Sequence, residues 1–89
     1  MDKPLIDILL EEKDMIKQIY KIDYTIEDQT EWFERLRKEM MEDENDSWHY
    51  EILRVKRYIE QLRDRKSELE SQLIEIRNEI AEYFENLIV

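Results

Sequence analysis

Apolar side chains recur every three and then every four residues along almost the whole chain, and the pattern stops only once. With Leu5 as position a of a seven-residue repeat, the a and d places hold Leu5, Ile8, Glu12, Met15, Ile19, Ile22, Ile26, Gln29, Phe33, Leu36 and Met40. The stripe restarts at Trp48 and runs through Ile52, Val55, Ile59, Leu62, Lys66, Leu69, Leu73, Ile76, Ile80, Tyr83 and Leu87. Glu12, Gln29 and Lys66 are its only polar members. A strict repeat of seven held over five heptads keeps one stripe against a partner helix only if the helices supercoil left-handedly.

Between the stripes lie Met41, Glu42, Asp43, Glu44, Asn45, Asp46 and Ser47, where apolar spacing ends and helix-capping residues gather. The spacing therefore predicts an all-α fold, a single helical hairpin domain over residues 1–89, packed as an antiparallel coiled coil. Helix one is expected over about 4–41, an acidic turn over about 42–47 and helix two over about 47–87. Asp46 or Ser47 is the expected N-cap of the second helix, and Asp2 that of the first. Pro4 fits a first turn because its missing N–H had no partner to lose. Thr25 followed by Asp28 loosely imitates a capping box and offers an alternative break near Asp23 to Thr25. The stripe crosses that segment without a slip, so one continuous helix is the expectation.

A chain with no glycine, one proline and 43% charged residues has the composition of long helices. The same charge content suits a disordered chain, but 42% hydrophobic residues in regular spacing favour the helical reading. The net charge of −10 repels phosphate on average, so no direct nucleic-acid binding is expected. With no cysteine, disulfides and thiolate metal sites are excluded. The chain has no run of 18 apolar residues, and Met1, Asp2, Lys3, Pro4 lack the basic start of a secretory signal. A cytoplasmic protein that neither crosses nor coats a membrane is expected.

If the chain folds back around residue 44, the basic stretch Arg54, Lys56, Arg57, Arg63, Arg65 and Lys66 comes level with Asp23, Glu27, Asp28, Glu31 and Glu34. Such flanks set orientation more than stability. Lys66 would lie beside Asp23 and could pair with it. The favoured expectation is that it lays its stem along the seam and puts its ammonium in water.

Apolar residues outside the seam collect at one end. Ile6, Leu9, Leu10, Ile16, Tyr20 and Tyr24 lie in the first half of helix one, and Ile74, Ala81, Phe84, Ile88 and Val89 toward the end of helix two. A hairpin brings these sets together at its open end, where the surface is too apolar for a solvated monomer. Ile6, Leu9, Leu10, Ile16, Tyr20, Ile74, Phe84 and Ile88 are thus the candidate interface. The hairpin seam is assigned to Ile19, Ile22, Ile26, Phe33, Trp48, Ile52, Ile59, Leu62, Leu69, Leu73, Ile76 and Ile80. Self-association into a dimeric four-helix bundle is the favoured occupant, with a heterologous protein partner as the alternative. Trp48 is read as a plug over the closed end, and Trp32, Tyr50 and Tyr58 as packing residues beside the seam.

No catalytic, cofactor or metal site is expected. A phosphate loop needs glycine, no base accompanies Ser47, Ser67 or Ser71, and two helices alone enclose no pocket. Asp46 and His49 have the spacing of a carboxylate–histidine pair, but at the turn rather than mid-helix. In size and shape the chain resembles the WXG100 secretion partners, helical hairpins with a tryptophan at the turn. Here the turn reads Trp48, His49, Tyr50 without the glycine, and no acidic residue stands four places after Tyr83. The resemblance covers architecture and implies a secreted helical partner as one alternative function. A non-enzymatic adaptor, assembly factor or regulator is the leading expectation. An acidic protein that imitates nucleic acid to occupy a basic groove is another.

Overall fold

The structure, a computed structural model, describes residues 3–42 and 47–88. It consists of two long helices, α1 (Leu5–Glu42, 38 residues) and α2 (Ser47–Ile88, 42 residues), with no strand among the described residues. At 1.5 Å per residue the helices are about 57 and 63 Å long. The whole molecule measures 69 × 16 × 15 Å, which two such helices match only when laid side by side. Two ion pairs between the helices fix the direction. Asp23 meets Lys66 and Glu12 meets Arg77, and in both the residue numbers add to 89, so the chain folds back antiparallel.

α1 begins and ends one residue later than the spacing suggested, while α2 begins at Ser47 as expected and ends one residue later. Pro4 stands just outside α1, and its carbonyl accepts from the N–H groups of Asp7 and Ile8 at 3.0 and 3.3 Å. Proline thus supplies the first acceptor of the helix while its missing N–H costs nothing. The caps expected at Asp2 and Asp46, the turn residues 43–46 and Val89 lie outside the described residues, as does the side chain of Ser47.

Burial follows the seven-residue repeat. Every a and d residue is buried or half-buried apart from the last of each stripe, Met40 and Leu87. Leu36, Val55 and Ile59 form a core cluster near the closed end, with Ile26, Phe33, Trp48 and Ile52 packed against it. Ile8, Leu69, Leu73 and Ile76 continue the buried line toward the open end. Phe33 is covered on one side by the Arg37 guanidinium, 6.0 Å from its ring centre.

α1 passes Asp23 to Thr25 without a break. The Thr25 hydroxyl donates to the Lys21 carbonyl at 2.9 Å, and Thr30 does the same to Ile26 at 2.7 Å. Each threonine is thereby satisfied inside the helix and does not act as a cap.

The polar seam residues mostly find partners. Arg77 Nε donates to Glu12 Oε2 at 3.2 Å. Lys66 Nζ lies 2.5 Å from Asp23 Oδ1 and 3.8 Å from Glu70 Oε1, which corrects the expectation that its ammonium turns to water. The hydrogen bond to Asp23 holds the Lys66 amine above its ordinary pKa; burial opposes it in part, and the charges of Asp23 and Glu70 add to the rise. Lys3 is raised in the same direction by its hydrogen bond to Glu11.

Candidate functional site

A two-helix seam covers only one side of each helix. Among the described residues, fourteen large apolar side chains are exposed while seven hydrophobic ones are buried, so a substantial part of the apolar surface is left uncovered by the fold. Its arrangement follows from the repeat. In α2, position a falls at Ile52, so Arg77, like Asp23 in α1, occupies position e. Both charged e residues pair across the seam, which places the e edges of the two helices on one side of the hairpin.

That side turns apolar at the open end. In α1 the b and e places hold Ile6, Leu9, Ile16 and Tyr20, and in α2 they hold Ile74, Ala81 and Phe84. Ile6 is 62% exposed, Ile74 61% and Tyr20 70%, while Ile16 is half-buried. Leu9 and Phe84 are also exposed, and Phe84 sits edge-on to the Tyr83 ring at 6.4 Å. Leu10 and Tyr24, both exposed, stand one step further round α1. The backbone of Ile88 continues α2, but its side chain lies outside the described ones. Six of the eight interface candidates are therefore exposed on the open half, and Ile16, the seventh described, is half-buried.

Toward the closed end the structure contradicts one expectation. Trp32, Tyr50 and Tyr58 are exposed, although Trp32 and Tyr58 keep more than half of their surface covered. Tyr50 is 82% exposed, and Trp32 and Tyr58 are more than two-fifths exposed. Each helical residue turns the chain by about 100°, so Tyr50, two residues beyond the seam residue Trp48, points almost directly away from it. Trp32 and Tyr58 sit one position off the seam. Together with Leu53, Arg54 and Arg57 these rings line an open groove of about 880 Å³. The heptad position alone would have revealed their exposure.

The charged flanks also differ from expectation. Among the described residues, Lys66–Asp23 is the one ion pair between the basic stretch of α2 and the acidic stretch of α1, while Arg65 pairs with Glu68 on its own helix. The other cations and carboxylates of these stretches are exposed. His49 is exposed, and its suggested partner Asp46 is outside the described residues. Among the described residues no three His, Cys, Asp or Glu side chains are grouped to hold a metal ion, and no helix is long and apolar enough to cross a membrane. No protein-family model matches this chain, and comparisons with curated proteins and with solved structures find no match.

Proposed function

We propose that this protein is a non-enzymatic helical interaction module, an adaptor, assembly factor or regulator, that works through the apolar surface of its open end. The observation that supports this reading is the concentration of exposed Ile6, Leu9, Leu10, Ile74 and Phe84 on a chain that is otherwise strongly charged. Contiguous exposed apolar surface rimmed by polar residues marks a contact site in soluble proteins. The seam does not cover these side chains, and a partner surface would.

The test pairs Leu10→Asp with Phe84→Asp and measures solution mass by light scattering together with helicity. Association above one chain, reduced to a single 11.2 kDa chain by the two changes with helicity kept, supports the reading. Association unaffected by the changes contradicts it. If the unaltered chain is monomeric throughout, thiol labelling of Leu10→Cys decides. Rapid labelling leaves a vacant contact surface, and protection as strong as that of a seam cysteine such as Leu69→Cys overturns the reading.

The nucleic-acid imitation keeps one supporting observation, the exposed carboxylates Glu27, Asp28, Glu31 and Glu34 along α1. Binding to a basic partner that weakens steeply with salt and maps to these residues distinguishes it from the open-end reading.

A further inference from the structure

The apolar open end and the unpaired charges of the middle lie on the same edge of the hairpin, and one arrangement satisfies both. We infer that the occupant of this edge is a second copy of the chain, docked parallel and in register so that both open ends lie together and α1 of each copy packs on α2 of the other. The inference rests on the open-end reading and adds the identity and orientation of the partner.

The case comes from the b and e positions of the two helices. A two-fold axis along the rod sets α1 of one copy against α2 of its partner at equal height. Residues whose numbers add to about 90 then meet, because within one chain the ion pairs show that numbers adding to 89 are level. At the open end this brings Ile6 to Phe84 and Ile16 to Ile74, apolar against apolar. Further along it brings Glu27 to Arg63 and Glu34 to Lys56, acid against base. None of these four charged residues has an ion-pair partner in its own chain among the described residues. Lys13 comes level with Arg77, a like-charge meeting that Glu12, already bonded to Arg77, offsets. An antiparallel dimer made by overlapping only the open ends would bury the apolar residues but leave Glu27, Glu34, Lys56 and Arg63 unmatched.

Size is consistent with a stable pair. One 69 × 16 Å side of the rod offers roughly 1,100 Å², above the ~800 Å² per partner of a standard specific interface. The product is a four-helix bundle, which supplies the enclosed core that a single seam lacks.

The chain has no cysteine, so introduced thiols report cleanly. Glu27→Cys chains and Arg63→Cys chains are refolded together and oxidised, and Lys13→Cys chains are treated alone. The expected result is twice the mass of one chain, a disulfide joining the two different chains in the mixture, and none within Lys13→Cys alone. Cross-linking of Lys13→Cys to itself without the mixed product overturns the register in favour of antiparallel overlap, while the open-end reading stands. A single-chain mass at every concentration overturns self-association, and the open-end reading then passes to its labelling test. Charge reversal gives a second measure that needs no disulfide geometry. Glu27→Lys with Glu34→Lys should loosen the dimer about tenfold or more, and adding Lys56→Glu with Arg63→Glu should restore it. Loosening without restoration overturns the inferred pairing.

Discussion

Leu36 is wholly enclosed in a molecule only two helices thick. It achieves this by clustering with Val55 and Ile59, with Phe33 and Ile52 packed against the same cluster. Truncation to alanine removes the transfer free energy of its side chain and leaves a void, so Leu36→Ala should cost about 2 to 5 kcal/mol, read by chemical denaturation. A loss below about 1 kcal/mol would mean that the closed-end cluster is not assembled as described. Lys66 offers a test with the opposite chemistry. Its pKa is raised on folding by Asp23, so its contribution is fully present below the unfolded value of about 10.4 and is lost as pH climbs through the higher folded value. The melting temperature of the unaltered protein should therefore fall above that pH more steeply than that of Lys66→Met. Equal slopes would show that the ammonium gains nothing from Asp23. The burial of seam residues was legible in the sequence because a seven-residue repeat assigns each a direction. The fate of the Lys66 ammonium was not, since a four-carbon stem reaches either water or a neighbouring carboxylate from the same backbone position.

At the scale of the elements, α1 and α2 run for 38 and 42 residues without a glycine or an internal proline. Continuity through Thr25 follows from the hydroxyl bonding back to Lys21, which removes the competition that makes threonine a cap. Thr25→Ala should therefore raise stability by at most about 0.7 kcal/mol, the difference in helix propensity. Thr25→Pro should lower it by about 3 kcal/mol or more by removing a backbone bond in mid-helix. Amide exchange checks the same point, since protection should run unbroken from Ile22 to Gln29. A harmless Thr25→Pro or a gap in protection would indicate two shorter helices. The spacing gave the number, order and approximate limits of the helices. It misjudged the rings of Trp32, Tyr50 and Tyr58, because aromatic residues beside a seam pack against it only where their angle allows. At 100° per residue, one or two steps are enough to turn a ring outward.

For the molecule as a whole, the decisive fact is imbalance: a narrow seam, a long outer surface, and twice as many large apolar side chains exposed as buried among the described residues. The open end could be located from the sequence because folding back joins the two chain termini. The edge on which we place the second copy could not, since the common side of the e positions became clear only from Glu12–Arg77 and Asp23–Lys66. Every functional inference presumes that the chain folds back near residue 44. Small-angle X-ray scattering of the unaltered protein tests this most directly. The fold-back account predicts a longest dimension close to 69 Å, whether the chain is alone or paired in register. A single uninterrupted helix over the same residues would extend to about 125 Å at 1.5 Å per residue, and a profile of that length would contradict the account.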